Sequence, residues 1–324
     1  MSHKQHPIGS GFTAAATADD VLAGIDLTGK NVIVTGGHAG IGLEVTKALS
    51  KAGASVTATS RHPENVPTSQ AGIERMQIER LDLVDPASVD DFVGRWLATK
   101  RPLHILVNGA GASGGPERDA RGYETQFATN HLGHFQLTLG LLPPLRAAHG
   151  ARVVNVSSGA QRFADIRWDD PNFHTGYNSR TAYAQSKTAN VLFAVELDRR
   201  FADEGIRAYA VHPGVVVGTK LNSSAGQDAL QAIGLIDGDG NPIIEPEVGK
   251  KTPQQGASTI VFAATSPLLA DIGGVYLKDN DISRLDDEPR QLTTDCIPAD
   301  VVSHSVDPTS ARRLWDLSEQ LLEN

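Results

Sequence analysis

Tyr183 and Lys187 lie four residues apart in Tyr183-Ala184-Gln185-Ser186-Lys187, a helix-favouring stretch, so both side chains can leave one helical face toward a single ligand. Such a pair could move a proton. A free phenol titrates at about 10, too high for ready exchange at neutral pH, and an ammonium beside it favours the phenolate and lowers that value. The spacing by itself also fits a packed ring beside a solvated amine. A second constellation, upstream, separates the two readings. Asn31-Val32-Ile33-Val34 is a β-branched apolar run that leads into Thr35-Gly36-Gly37-His38-Ala39-Gly40-Ile41-Gly42 and then into the amphipathic segment Leu43 to Leu49. Strand, glycine turn and helix in this order bring backbone N–H groups and a helix start to a pyrophosphate.

The turn has the spacing T-G-x-x-x-G-x-G, and with it the chain resembles the short-chain dehydrogenase/reductase family from about residue 28 to about residue 280. Further motifs follow in the family's order. They are Asp82-Leu83 after a third predicted strand, Asn108-Gly109-Ala110-Gly111 after a fourth, and Asn130 in Asn130-His131-Leu132-Gly133-His134-Phe135. Ser157-Ser158 then ends a fifth strand and Pro213-Gly214 closes a sixth. The wording around Asn130 and Lys187 looks most like the retinol-dehydrogenase-like branch.

The resemblance implies that Tyr183 exchanges a proton with the substrate oxygen, and that Lys187 binds the nicotinamide ribose and depresses the tyrosine pKa. It also implies that Ser158 orients the substrate oxygen and that Asn130 positions a water linking the lysine to solvent. Ser158 is preferred to Ser157 because the family uses the second serine, and successive residues leaving a strand face opposite ways. Tyr177 is the rival phenol, but Thr181 rather than a lysine stands four residues after it.

For the cofactor, the resemblance implies contacts from Gly36, His38, Gly40, Ile41 and Gly42, with Asp82 and Leu83 at the adenine. Asn108, Gly109 and Ala110 belong where the fourth strand passes close, and Tyr183, Lys187, Pro213, Gly214 and Thr219 lie at the nicotinamide side. Asp82 capping its own loop is the competing reading. Gly109 stands where the family usually has a second asparagine, and Thr219 falls one place later than the family's threonine. An acid at the end of the second strand would accept from a ribose 2′-hydroxyl and repel a 2′-phosphate. The chain instead reads Ala58-Thr59-Ser60-Arg61-His62, with no acid before Glu64, and Arg61 offers a guanidinium suited to phosphate. The reading is therefore NADP(H) over NAD(H), although Ala39 lacks the basic side chain that some NADP-using relatives carry.

Ser158 and Tyr183 are 25 residues apart, wider than is usual for the family, and the insertion at about 160–180 carries Phe163, Trp168, Phe173 and Tyr177. These rings either form an apolar substrate wall or pack the insertion onto the core. A substrate flap is expected at about 215–252, with Leu221, Leu230, Ile233, Leu235, Ile243 and Ile244, which fit an apolar substrate portion or ordinary packing. The expected reaction interconverts a carbonyl and an alcohol on an apolar small molecule by direct hydride transfer. Two other readings stay open: reduction of a carbon–carbon double bond, and a non-catalytic dinucleotide-sensing regulator.

The elements that must position these groups are strand-like runs near 31–35, 55–60, 76–81, 104–108, 152–157, 207–212 and 274–277. They alternate with helical runs near 40–52, 87–99, 123–147, 180–203 and 254–266. This alternation predicts an α/β fold, a single Rossmann-type doubly wound parallel sheet of about seven strands with helices on both faces. Residues 29–290 make the dinucleotide-binding catalytic domain. Residues 1–28 are an N-terminal extension with a short helix at Asp19 to Ala23, and residues 291–324 are a C-terminal extension whose last part, Asp307 to Leu322, is an amphipathic helix.

A net charge of -9 without a basic stripe argues against nucleic acid and anionic membrane surfaces as partners. The single cysteine, Cys296, rules out an internal disulfide and suits the cytoplasm. His131-x-x-His134 and His212 lack the acidic or cysteine partners of a zinc site, so no metal is expected. No apolar run reaches the roughly 18 residues of a membrane span. The resemblance leaves room for a homo-oligomer paired through the helices at 123–147 and 180–203.

Overall fold

The computed structural model describes residues 4–67, 70, 73–217 and 226–323. One sheet runs in the order β3-β2-β1-β4-β5-β6-β7-β8. Its strands are β1 (Asn31–Val34), β2 (Ser55–Ser60), β3 (Met76–Arg80), β4 (Ile105–Asn108), β5 (Ala151–Val156), β6 (Ile206–His212), β7 (Val275–Lys278) and β8 (Asp281–Ile282). Pairing is parallel as far as β7, and β8 returns antiparallel to it. The helices are α1 (Ala18–Val21), α2 (Gly40–Lys51), α3 (Pro86–Ala98), α4 (Gly133–Gly140), α5 (Leu142–Ala147), α6 (Ser179–Phe201), α7 (Gln227–Ala232), α8 (Pro253–Thr265) and α9 (Pro308–Glu323). Among the described residues, no helix is long and apolar enough to cross a membrane.

Side-chain alternation divides the core into two layers. Val32 and Val34 of β1 join Val45 and Leu49 of α2 and Ile260 and Phe262 of α8 on one face of the sheet. Ile33 joins Phe92 of α3, Phe135 of α4 and Phe193 of α6 on the other. A strand buried on both faces favours apolar residues on both sides of the pleat, which is why Val32–Val34 of β1 and Ile105–Val107 of β4 read as continuous apolar runs. The strand order reverses between β1 and β4, and open α/β sheets bind ligands in the crevice outside the carboxyl ends at such a point.

The sheet has one strand more than the seven read from the sequence. Lys278 turns through Asp279 and Asn280, both left-handed with φ of 50 and 62, and β8 follows at once. Asp and Asn tolerate that conformation, so a two-residue hairpin forms without glycine. The expected helix at 123–147 is broken into a short turn (Thr125–Phe127), a π-helical turn (Ala128–Leu132), α4 and α5. Pro143 and Pro144 open α5, where their missing N–H groups cost no hydrogen bond.

Both ends of the described chain pack on this frame. Gln5 reaches β7, its amide donating to the Tyr276 and Ser283 carbonyls at 2.8 and 2.6 Å and its oxygen accepting from Tyr276 N at 2.9 Å. Helix α9 lies on α4 and α6, with the Trp315 ring 4.9 Å from Phe135 and 5.9 Å from Phe193.

Candidate active site

The crevice is floored by the glycine turn between β1 and α2. Gly36 is left-handed at φ 69, and a Cβ on Gly42 would stand 2.6 Å from the Gly36 carbonyl oxygen, so both positions require glycine. The N-cap of α2 is Ala39, which offers no acceptor, whereas Asp85, Asn178 and Thr252 cap α3, α6 and α8 with side-chain oxygens. The backbone N–H groups at the start of α2 are thus left for an anion, which fits the pyrophosphate of a dinucleotide. His38 closes the turn toward β2, with Nδ1 2.9 Å from the Thr59 carbonyl oxygen. Ile41, in the first turn of α2, packs against the α2–α8 layer.

At the end of β2, Arg61 is exposed and makes no ion pair among the described residues, while Glu64 is taken by His62 at 3.1 Å. Asp82 accepts from Val84 N at 3.2 Å, which occupies one of its oxygens with its own loop. The Leu83 carbonyl lies so close to Gly133 that a Cβ there would collide with it. Asn108 ends β4, where the resemblance implies that the strand passes close to the cofactor, and its side chain points into the fold. Its amide donates to Thr138 at 3.1 Å and Asn155 at 2.8 Å, inside the fold, because the residue that ends β4 faces β5 and α4. Gly109 and Ala110 present backbone instead, and their N–H groups donate to Thr35 Oγ1 at 2.9 and 3.0 Å. Gly214 follows β6 at φ 82, with Lys251 Cδ 2.8 Å from where its Cβ would be. Thr219 and Leu221 lie outside the described residues.

Helix α6 brings Tyr183 and Lys187 onto one face, with Lys187 Nζ 5.5 Å from the centroid of the tyrosine ring. Lys187 is 4% exposed and donates to the Val156 carbonyl at 3.1 Å. Ser158, just past the end of β5, accepts from Ala160 N at 3.2 Å, and its hydroxyl lies close enough to the Tyr183 phenol to favour the ionised form. Ser157 is turned the other way and donates to the Lys187 carbonyl at 2.8 Å. Asn130 sits within the π turn. Its oxygen accepts from Ala112 N at 2.7 Å, and its amide donates to Ala112 O at 3.0 Å and Ser186 Oγ at 2.9 Å. A Cβ on Gly111 would lie 3.6 Å from Asn130 Oδ1 and 3.8 Å from Lys187 Nζ, so the loop after β4 runs against both.

Burial pushes the Tyr183 phenol up to about 12, against the opposing effect of the Ser158 hydroxyl, and pushes Lys187 down to about 8. This differs from the expectation that the ammonium depresses the phenol. Lys187 is buried and Tyr183 half-buried, and the cost of desolvating ammonium and phenolate outweighs the other influences on each.

A sequence model of the family described as short chain dehydrogenase matches residues 30–230. The chain belongs to that family. A probable oxidoreductase of Streptomyces lividans is 42% identical over 92% of this chain and 99% of its own length. Retinol dehydrogenase 11 of Homo sapiens is 34% identical over 92% of this chain and 87% of its own. Among solved structures, an uncharacterised protein of Mycobacterium paratuberculosis superposes with a TM-score of 0.70 at 29% identity, covering 96% of this chain and 98% of that one. Short-chain dehydrogenases are oxidoreductases that use nicotinamide dinucleotides on small molecules, and this one has retinol-dehydrogenase-like relatives.

In this short-chain dehydrogenase the widened stretch between Ser158 and Tyr183 is mostly packed. Phe173 is buried, with its ring 6.0 Å from that of Tyr177, and Trp168 lies under the Arg313 guanidinium at 4.3 Å. Phe163 is 55% exposed. The Tyr177 hydroxyl lies 3.1 and 2.6 Å from the Gly114 and Gly115 carbonyls and accepts from Gln126 at 3.2 Å, so it staples the loop after β4. In the segment after β6 that was expected as a flap, Leu235 is buried while Ile233 and Ile244 are exposed. The base of that segment is tied by Val215 N to Gly249 O at 2.8 Å and Lys251 N to Val215 O at 2.9 Å, and buried Lys251 pairs with Asp279 at 2.6 Å. Sequence reasoning missed Thr35, Gly111, His134 and Lys251 as parts of this region. A buried lysine or histidine has no periodic signature, whereas Thr35 stood within the quoted turn.

Proposed function

We propose that this short-chain dehydrogenase interconverts a carbonyl and an alcohol on an apolar small molecule with NADP(H). One observation carries the reading: Tyr183, Ser158 and Lys187 meet at the carboxyl end of β5, in a crevice that also holds an uncapped helix start. The dinucleotide, when bound, supplies or takes up the hydride. A carbonyl oxygen that gains negative charge needs hydrogen-bond donors and then a proton. Tyr183 Oη, held protonated through neutral pH, gives that proton, and Ser158 Oγ donates the second hydrogen bond. Lys187 Nζ holds the ribose hydroxyls and keeps positive charge beside the tyrosine. Asn130 uses its side chain to clamp Ala112 to Ser186, which fixes the loop after β4 on α6.

The preference for NADP(H) rests on Arg61, free of ion pairs among the described residues at the end of β2, and on Glu64 being engaged by His62. Exposed Phe163, Ile233 and Ile244 support an apolar substrate. Exposed, unpaired Cys296 is in keeping with a reducing compartment such as the cytoplasm.

Initial rates with NADPH and NADH against aldehydes, ketones and enones test the whole reading. Carbonyl reduction with NADPH at least about tenfold better than NADH in kcat/KM is expected, since tenfold corresponds to one good charge-assisted contact. Saturation of enone double bonds alone would favour the double-bond reductase, and NADPH binding without turnover would favour the sensor. Tyr183→Phe is expected to lower kcat by about 100-fold or more while NADPH still binds.

A further inference from the structure

His134, on α4, is 2% exposed and touches neither Tyr183 nor Ser158 by any hydrogen bond, yet it lies between two parts of the site. Its Nδ1 is 3.1 Å from the Asn130 carbonyl oxygen and its Nε2 is 2.8 Å from Thr35 Oγ1. A carbonyl only accepts, so Nδ1 carries the ring proton. Burial, assisted by the Lys187 charge, holds the ring neutral with a pKa of about 4, which leaves Nε2 bare. Nε2 therefore accepts from the Thr35 hydroxyl, whose weaker alternative is the Val107 carbonyl at 3.3 Å.

The Thr35 oxygen in turn accepts from Gly109 N and Ala110 N. Each hydrogen in the chain now has one place: from the amides after β4 to Thr35, from Thr35 to His134, and from His134 to Asn130. The last carbonyl belongs to the π turn, where Gly133 N reaches back to Ala128 O and the regular helical ladder is out of step. A side-chain donor at that carbonyl fixes a segment whose backbone bonding is irregular.

We propose that His134 is a positioning residue that locks the Asn130 turn and the Gly109–Ala110 backbone into one register. It rests on the reading that this site reduces carbonyls with a bound dinucleotide. The ring works as a two-ended strut. One end sets the residue that clamps Ala112 against α6, and the other sets the strand end beside the glycine turn, where a Cβ on Gly36 would stand 3.2 Å from Ala110 Cα.

Three variants separate the two ends. His134→Asn keeps an N–H near Nδ1 and loses the acceptor for Thr35. His134→Gln keeps an oxygen near Nε2 and loses the donor to Asn130, and His134→Leu loses both. His134→Leu is expected to lower kcat about tenfold and to weaken NADPH binding about tenfold, the size of one buried hydrogen bond lost at each end. His134→Asn should recover kcat, and His134→Gln should recover the NADPH Kd, read by fluorescence titration.

A folded His134→Leu protein with wild-type kcat and Kd, lowered only in Tm, would show a merely structural role and overturn the proposal. Should that variant fail to fold, Thr35→Val, close to isosteric, is expected to weaken NADPH binding to the same extent, and unchanged binding there counts against the strut. Wild-type protein without turnover on the carbonyl panel would sink the functional reading instead, and the NADPH titrations would still decide the Thr35 end.

Discussion

Lys187 titrates at about 8 because its ammonium is buried, so the charge that steadies the site is lost just above neutral pH. Its folded pKa lies below the ordinary 10.5, hence the protonated form prevails below about 8 and fades above it. Tyr183, at about 12, keeps its proton throughout that range. The kcat/KM for NADPH-dependent reduction reports the free enzyme and should therefore fall as pH rises through about 8. A profile with no descending limb between about 7 and about 10 would remove Lys187 from that role. Arg61→Ala should raise the KM for NADPH about tenfold or more and leave that for NADH nearly unchanged, because only the 2′-phosphate needs the guanidinium. At this scale the spacing of Tyr183 and Lys187 was readable, since helical periodicity alone puts them on one face. Their pKa values were not, because these depend on what other elements bury around them. The same holds for Asn108 and His134, whose partners lie across the sheet and one helical turn away.

Among the elements, the stretch from Thr125 to Ala147 departs furthest from its sequence pattern. The sequence reads as one helical run near 123–147, with two glycines inside it, Gly133 and Gly140. Both glycines are contact points. A Cβ on Gly140 would stand 2.8 Å from Val93 of α3, and one on Gly133 would collide with the Leu83 carbonyl. Gly133→Ala should therefore destabilise the protein by about 1–3 kcal/mol in urea unfolding, even though alanine is the better helix former. It should also weaken NADPH binding, because Leu83 cannot move alone. A stabilised variant would mean that the contact relaxes freely. The strands were easier to read than this helix: buried parallel strands are rich in apolar and β-branched residues, whereas a π turn and a close helix–loop contact leave no local pattern. The short β8 escaped for a related reason, its turn being built from Asp279 and Asn280 without glycine.

For the whole molecule, three histidines dominate the response to acid. Burial lowers His131 and His212 to about 3 and His134 to about 4, all below the ordinary 6.5. The unfolded chain thus binds more protons than the folded one between those values, and stability is lost as pH falls below about 6.5. At pH 5 the loss is on the order of 2 kcal/mol per histidine. Urea midpoints at pH 7.5 and 5 should show it, and His131→Leu should remove about a third of the difference. An undiminished difference would place the acid sensitivity elsewhere.

Helix α9 holds one of these histidines, with His131 Nε2 2.7 Å from Ser318 Oγ, and its Trp315 packs on Phe135 of α4 and Phe193 of α6. Its seat has an optical consequence. Of the three tryptophans, Trp315 belongs to α9 and is flanked by Arg200 at 4.4 Å, Trp168 is stacked on Arg313 of the same helix, and Trp96 is buried on α3. Two of the three indoles should therefore redden in emission if α9 detaches first, with Trp96 following only when the sheet comes apart. A single spectral transition coincident with loss of circular dichroism would instead make the helix inseparable from the fold it closes.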